Sequence, residues 1–308
     1  MKQTLLFATI LLSFSLSAQQ TLQEKLGYPK TTKLLIIHAD DIGVSHSENT
    51  ATITALEKGS VSSGSIMVPC PWMPEIAAYA SSHPNADLGL HLTLTAEWKQ
   101  YKWGPVLPRT EVPSLVDDKG FFPDNTADVA KNARTAEVEK ELRAQVERAK
   151  QFGIDPTHFD THMGSVLSSV EIAKVYVKLG HEYKVPVLMS AGIAKGVLNV
   201  DLKDLGAEND VQTDNVVMAE PADYKGGMKA FYTKTFKALQ PGLTVLLLHA
   251  AHNDAEMKAV TIDHPDYGAD WRQADFEFFT SDDCKKVLQE NNIKVITWKE
   301  IRDKVVRK

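Results

Sequence analysis

Short apolar runs alternate with stretches of helical spacing along most of the chain. Seven short runs, several of them almost continuously apolar, are predicted to be strands: 33–38, 65–68, 87–92, 157–161, 187–189, 243–248 and 294–296. Helical spacing follows the first run to about residue 59 and returns at 74–81, 137–152, 170–183, 225–239 and 282–290. Strands that are apolar on both faces and alternate with helices favour a mostly parallel sheet covered by helices.

The number of strand–helix units bears on the fold class. About seven units in one chain favour a closed or nearly closed α/β barrel, built as a single domain over residues 19–308, rather than two nucleotide-binding halves. Two stretches interrupt the alternation, at 95–132 and 196–215. The first is rich in Pro, Gly and aromatic residues and the second is polar, so both are predicted to be loops over a functional site.

The first 18 residues have the pattern of a secretory signal peptide. Lys2 precedes an apolar run at 5–16, and small residues follow up to Ala18. The run is shorter than the roughly 20 residues of a membrane span, so we expect cleavage after Ala18 and no membrane anchor. A buried first helix is the alternative. The signal predicts an exported protein, either periplasmic or secreted.

Composition narrows the class of protein. The chain has 308 residues with a net charge of −6, 24% charged and 43% hydrophobic residues, as is typical of a globular enzyme. The acidic balance argues against nucleic acid as a partner. Two cysteines, Cys70 and Cys284, exclude a disulfide scaffold and a cysteine-rich zinc site. The two could pair in an exported protein, but isolated cysteines are more often packing residues.

Histidines are concentrated where the predicted strands end. In a barrel the catalytic groups come from the carboxyl ends of the strands, so these positions are the informative ones. Six of the ten histidines lie there: His38, His91, His158, His162, His249 and His252. Scattered surface histidines would not give this distribution, although a single one such as His91 is more often a hydrogen-bonded core residue.

Two adjacent carboxylates follow the first strand. Asp40 and Asp41 would be costly on an apolar strand unless a positive group holds them. Consecutive strand residues point to opposite faces, but a turn toward Gly43 could direct both into one mouth. The alternative is that one of them caps the next helix.

The fourth predicted strand has a metal-binding pattern. His158, Asp160 and His162 are two residues apart, so all three could face the same side of the strand. Two histidines and one carboxylate can bind a divalent ion and leave positions open, which suits hydrolysis of an amide or ester. His249, which titrates near neutral pH, could donate a proton to a leaving nitrogen.

Several segments carry a family resemblance. HADDIG at 38–43, GLHLTLT at 89–95, THFDTHMG at 157–164 and LLLHAAHND at 246–254 resemble the YdjC-like carbohydrate deacetylases, the chitooligosaccharide deacetylase group. The likeness spans residues 33 to 302 in the family's motif order. It implies a distorted (β/α) TIM-like barrel and one divalent metal ion, Mg²⁺ or Zn²⁺.

The resemblance also implies roles for individual residues. Asp41, His91 and His162 match the family's metal ligands. Asp40 matches the first carboxylate of the pair, the general base, and His249 matches the proton donor.

The resemblance implies supporting positions around these five residues. Asp160 would lie behind the ligands, and His158 would either line the barrel or contact substrate. The chain departs from the family's pattern at 69–71 and 163–165, both expected to line the mouth. Aromatic residues of the long loop could stack on sugar rings, or could simply pack that loop onto the barrel: Trp98, Tyr101, Trp103, Phe121 and Phe122.

These observations converge on one hypothesis. The chain would be a metal-dependent hydrolase that removes N- or O-acetyl groups from an acetylated sugar or oligosaccharide. Two alternatives stay open: a metal-dependent esterase or amidase on a non-sugar substrate, and a non-catalytic glycan-binding protein. The sequence does not indicate the oligomeric state.

Overall fold

The computed structural model describes residues 20–308, so the signal peptide expected at 1–18 lies outside the described residues. Within this range the chain forms seven strands: β1 Lys33–Ile42, β2 Ser63–Ile66, β3 Leu88–Leu92, β4 Phe159–Thr161, β5 Asn215–Met218, β6 Gly242–Leu248 and β7 Ile293–Val295. The helices of the same range are α1 Leu22–Leu26, α2 His46–Lys58, α3 Met73–Ser82, α4 Thr126–Asn132, α5 Thr135–Gln151, α6 Val170–Tyr183, α7 Ala191–Leu198, α8 Leu202–Leu205, α9 Pro221–Gly226, α10 Met228–Ala238, α11 Ala255–Val260, α12 Ala269–Thr280, α13 Asp282–Glu290 and α14 Trp298–Ile301. None of the helices in residues 20–308 has the length and apolar character needed to cross a membrane.

All the paired strands are parallel. Their order is β4-β3-β2-β1-β6-β5, and β7 pairs with the first three residues of β1. Because β6 occupies one edge of β1, β7 and β2 share the other edge, near the start and the end of β1 respectively. Within residues 20–308 no ladder joins β4 to β5, so the sheet curls into a half-barrel that is open between them. The predicted α/β barrel of parallel strands is confirmed in this open form.

The strand β1 shows how sequence alternation builds the interior. Leu35 and Ile37 pack outward against the helix layer, with α10 and α12. Leu34 and Ile36 pack inward with residues of β6 and α14. Each buried Leu or Ile contributes about 1.5–3 kcal/mol of transfer free energy. The inward set continues at His38, which is fully buried, so polar chemistry begins where the apolar floor of the barrel ends.

The structure differs from the predicted elements in a few places. The run at 187–189 makes only a single bridge, between Phe159 and Val187. The edge strand β5 was not predicted because its residues are half-buried or exposed and its neighbours are polar. The helix predicted at 225–239 is broken at Gly227, whose φ of 98° separates α9 from α10. The predicted loops at 95–132 and 196–215 contain α4, α8 and the end of α7.

Candidate active site

A β-bulge at the end of β1 brings two carboxylates to the same side. His38 and Ala39 pair with Ser63 and Gly64 of β2, but the next pair is Ile42 with Ile66, so β1 carries one extra residue. Asp41 accommodates the extra residue because its backbone lies in the left-handed region, with φ of 64°, which Asp tolerates better than most residues. Asp40 and Asp41 therefore both line the cavity at the mouth of the barrel.

The helix-capping alternative for these carboxylates is wrong. The helix α2 is capped by Ser45, whose hydroxyl accepts a hydrogen bond of 3.0 Å from the backbone N–H of Glu48. Neither Asp40 nor Asp41 is needed for that purpose, so both side chains remain available to the cavity.

Three side chains at the carboxyl edge of the sheet form a candidate metal centre. Asp41 ends β1, His91 lies on β3 and His162 follows β4. The Asp41 Oδ1 atom lies 3.4 Å from His91 Nε2 and 3.1 Å from His162 Nδ1, and the three donor atoms are within 4.8 Å of one another. All three side chains are buried. Two imidazole nitrogens and one carboxylate oxygen at such distances suit a divalent cation.

Each of these three side chains is held from behind by a charged partner. Asp160 Oδ1 lies 2.8 Å from His91 Nδ1 and leaves Nε2 free to face Asp41. Arg272 Nη2 donates to Asp41 Oδ2 at 2.9 Å, and Glu97 Oε2 lies 2.8 Å from His162 Nε2. Such partners fix the orientation of metal ligands and are part of the design of a metal site.

The carboxylates of the cluster favour the binding of a cation. Burial would lower the pKa of His162, but Glu97 and Asp41 raise it to about 9. Burial would raise the pKa of Asp41, but Arg272 and His162 hold it well below its usual value. The surplus of carboxylates thus keeps a proton on a candidate ligand. A divalent cation would replace this positive charge, so the donor set fits a metal ion.

The two-residue spacing along 158–162 places three side chains on the same side of the strand, as predicted. His158, Asp160 and His162 all point into the barrel, one above the other, with His158 Nε2 4.0 Å from Asp160 Oδ2. His158 is fully buried and its ring stacks on Trp298 at 5.2 Å, in space that Gly89 leaves free. It does not line the cavity, so it is a barrel-lining residue and the alternative of substrate contact is wrong.

His249 faces the metal candidates from the opposite side of β1. It directly follows β6, and its Nε2 atom lies 3.9 Å from both Asp40 Oδ2 and Asp41 Oδ2. The backbone N–H of His249 donates to Asp275 Oδ2 at 3.1 Å, which fixes the loop after β6. Burial lowers the pKa of His249 to about 4, so its ring is neutral at pH 7 rather than titrating near neutrality as expected.

The chain is similar to known proteins along most of its length. A family model described as YdjC-like protein matches residues 34–290. The chain belongs to this family. It is 32% identical over 273 residues to a carbohydrate deacetylase of Thermus thermophilus, covering 88% of this chain and 94% of that relative. It is 24% identical over 261 residues to a carbohydrate deacetylase of Thermoanaerobacter pseudethanolicus, covering 85% and 96%.

A solved structure shares the fold of this YdjC-like chain. It comes from Enterococcus faecalis and bears the provisional name cellobiose-phosphate cleavage protein. The TM-score is 0.73 at 24% identity, over 88% of this chain and 99% of that one. The half-barrel fold is therefore shared with a protein whose sequence is only 24% identical.

The cavity of this YdjC-like protein has a volume of about 420 Å³ and a partly apolar wall. Beyond the polar residues already described, its wall includes Trp98, Met163, Met218, His264 and Tyr267. Met163 and Gly164 line the mouth as predicted for 163–165. Cys70 of the segment 69–71 is buried in the core instead, and none of that segment lines the cavity. Cys70 and Cys284 are both unpaired.

The aromatic residues of the long loop mostly pack rather than face the cavity. The Trp103 indole is buried, donates its N–H to the Thr95 carbonyl at 2.8 Å and lies 5.8 Å from the His162 ring. Trp103 therefore supports His162 from behind, which agrees with the packing alternative for this residue rather than with a contact to substrate. Trp98 reaches the cavity wall, but Arg272 lies 5.3 Å from its ring centre. The aromatic wall is completed by Tyr267, which no sequence pattern identified.

Four residues important to the site were not predicted. Glu97, Arg272 and Ser65 lie beside the candidate ligands, and His38 was counted among the strand-end histidines without a role. Arg272 lies within the span 33–302 that resembles the family, in the run DWRQADFEFFTSDDCKKVL at 270–288, and this was the one available signal for it. Glu97 and Ser65 had no signal, because only the folded chain brings them near their partners.

Proposed function

We propose that this protein is a metal-dependent carbohydrate deacetylase that hydrolyses acetyl groups from an acetylated sugar or oligosaccharide. The observation that carries the proposal is the buried Asp41–His91–His162 set, which shares one cavity with Asp40 and His249. Curated relatives along nearly the whole chain are named carbohydrate deacetylases, which supports the same activity. The reaction is hydrolysis of a C–N bond when the acetyl group is on nitrogen.

The donor chemistry bears on which ion the site would hold. Asp41, His91 and His162 would be the ligands. Mg²⁺ prefers oxygen ligands, whereas imidazole suits Zn²⁺ and other transition metals, so the two histidines favour Zn²⁺. When bound, such an ion would supply Lewis-acid polarisation of the acetyl carbonyl and stabilise the negative charge that develops on it.

The proton transfers are assigned to Asp40 and His249. Asp40 Oδ2 faces the cavity and accepts the proton of the attacking water. His249 is neutral in the resting site, so it must gain a proton before it can give one to the departing amine or hydroxyl. Asp40 Oδ2 at 3.9 Å is the nearest source of that proton. The two residues thus act in sequence, Asp40 as base and His249 as the donor.

The experiment that tests the function measures acetate release from a panel of acetylated sugars and aryl esters. The wild type should release acetate from sugars, and Asp40→Asn should reduce kcat about 10²- to 10⁴-fold while keeping its metal content. Equal rates of wild type and variant would contradict the mechanism. Release from aryl esters alone would favour the esterase alternative, and sugar binding without release would favour the glycan-binding one.

A second measurement tests the ligands separately from the chemistry. Metal analysis of His91→Ala and His162→Ala should show loss of the ion from both purified variants. Full retention of the ion in both would contradict the assigned ligand set, whatever the activity shows.

Export is a further part of the proposal. Residues 1–18 would direct the chain out of the cytoplasm and be removed, so that the substrate is a glycan met outside it. Intact-mass analysis of the protein in the periplasmic or culture fraction should find a chain that begins at Gln19. A cytoplasmic chain that retains Met1 would contradict export.

A further inference from the structure

The ring of His38 lies between two carboxylates in the barrel interior. His38 is fully buried on the inward face of β1. Its Nε2 atom is 2.7 Å from Asp160 Oδ2 and 3.0 Å from Asp40 Oδ1. An ionised carboxylate only accepts hydrogen bonds, so Nε2 must carry a hydrogen to satisfy this position. The tautomer of His38 is thereby set by its neighbours.

Two serines hold the same ring in place. Ser63 Oγ lies 3.0 Å from His38 Nδ1, and a hydroxyl there can donate or accept as the ring requires. Ser65 Oγ lies 3.1 Å from His38 Nε2 and donates to Asp160 Oδ2 at 2.8 Å. The ring therefore has a fixed orientation in which Nε2 points at the two carboxylates.

This arrangement matters most for Asp40. Within the described residues Asp40 Oδ1 is buried and has no partner with full hydrogen-bond geometry. The reason is that His38 Nε2 makes its shorter contact, of 2.7 Å, with Asp160 Oδ2. The 3.0 Å contact with the His38 ring is thus the closest polar support that Asp40 Oδ1 has. The second oxygen, Oδ2, faces His249 and the cavity.

We propose that His38 is a positioning residue for the general base. It anchors Oδ1 of Asp40 and leaves Oδ2 to receive the proton from water. Through Asp160, which lies 2.8 Å from His91 Nδ1, it also joins the base to the support of a candidate metal ligand. This inference rests on the proposed function, in which Asp40 is the base.

Two substitutions of His38 test the roles of its two ring nitrogens separately. In His38→Gln the side-chain amide nitrogen takes the position of Nε2, and in His38→Asn it takes that of Nδ1. We expect His38→Asn to lower kcat about 100-fold, with KM within about threefold, while His38→Gln stays within about tenfold of wild type.

A matched control accounts for damage to the barrel interior. His158 is an equally buried histidine whose ring lies 4.8 Å from that of His38 and which makes no contact with Asp40. The variant His158→Gln should keep kcat within about threefold of wild type. Thermal unfolding and metal content, measured for all variants, identify those that fold and retain the ion.

The possible outcomes are distinct. If the folded, metal-loaded Gln and Asn variants have the same kcat, or if His158→Gln is as impaired as His38→Asn, the positioning role of His38 is overturned. A gain of activity by Gln over Asn at equal metal content supports it. If the wild type releases no acetate from any sugar or ester, it is the proposed function that fails.

Discussion

Asp40 and Asp41 are consecutive in the chain, yet both carboxylates face one cavity because the bulge at Asp41 cancels the alternation of the strand. The extra residue of β1 is set against Gly64, where an added Cβ would collide with the Ile42 side chain. A base and a metal ligand are thereby placed side by side on one rigid strand. A regular strand would have put one of them in the helix layer.

The bulge leads to a prediction about Asp41. Both Asp41→Asn and Asp41→Ala remove the carboxylate ligand, so metal affinity should fall at least about 100-fold in each. Asn tolerates the left-handed backbone of this position, whereas Ala adds about 1–2 kcal/mol of strain. Ala should therefore unfold at lower denaturant than Asn. Calorimetric metal titration and urea unfolding measure the two effects, and unchanged affinity would show that Asp41 is not a ligand.

The cavity wall leads to a prediction about Tyr267. Its ring lines the cavity and packs at a tilt against Trp271, with the ring centres 4.3 Å apart, and its hydroxyl donates to the Ala219 carbonyl at 3.1 Å. An aromatic face fixed in this way suits a sugar ring, so Tyr267→Phe should keep KM and Tyr267→Ala should raise it about tenfold. Phe121→Ala removes an exposed aromatic outside the cavity and should change neither constant. Initial-rate kinetics would contradict the assignment if Tyr267→Ala kept its KM.

The charge of the cavity leads to a prediction about substrate. Among the described residues that line it, Arg272 is the one Lys or Arg, and Asp41 and Glu48 already hold its guanidinium. Phosphate groups are usually recognised by a free Arg or Lys. A neutral acetylated disaccharide should therefore have a kcat/KM at least about tenfold higher than its 6-phosphate. Equal values would contradict this reading of the cavity.

A gain-of-function variant sharpens the same test. Met163 is 46% exposed at the rim and has a φ of 52°, a conformation that Lys184 already adopts elsewhere in this chain. Met163→Lys places a cation beside the cavity without new backbone strain. Met163→Lys should narrow the difference in kcat/KM between the neutral disaccharide and its 6-phosphate. Met163→Gln, which is of similar size but carries no charge, should leave that difference unchanged.

Two histidines lead to a prediction about pH and stability. Burial would lower the pKa of His38 and of His162, but neighbouring carboxylates raise both to about 9. A histidine whose pKa is raised in the folded state contributes fully below its unfolded value of 6.5 and loses the contribution as pH rises through 9. The metal-free chain should thus melt roughly 5 °C lower at pH 9 than at pH 6.5.

The loaded protein serves as the comparison for this effect. A bound divalent cation would take the place of the proton on His162, so the loss of stability with pH should be smaller. Differential scanning fluorimetry with EDTA and with added Zn²⁺ measures both curves. A metal-free Tm that rises from pH 6.5 to pH 9 would contradict the assigned protonation states.

The fold and the strand-end positions of the histidines were predictable because their signals are local, whereas the ligand set of Asp41, His91 and His162 came only from the family resemblance. The apolar run that forms β1 and the spacing of two at 158–162 each follow from neighbouring residues alone. Strand ends meet at one edge of a parallel sheet, so a barrel brings His91, His162 and His249 together once the strands are assigned.

The features that could not be predicted depend on residues that are far apart in the sequence. The bulge is a property of the register between two strands, and no single strand reveals it. Arg272 reaches Asp41 across 231 positions, from a helix that was not predicted. The sequence left both a substrate contact and loop packing open for Trp103, because an aromatic residue in a loop gives the same pattern whether it faces a cavity or supports a histidine.

The unpaired edge between β4 and β5 has a mechanical consequence. Asp40, Asp41, His91 and His162 belong to strands, or follow strands, that are joined in one continuous ladder from β1 to β4. Met218 on the opposite wall belongs to β5, whose only strand partner among the described residues is β6. A bulky sugar can therefore displace that wall while the donor distances stay as they are. The range of substrates that the cavity accepts would then depend on β5, and the geometry of the reacting groups on the ladder from β1 to β4.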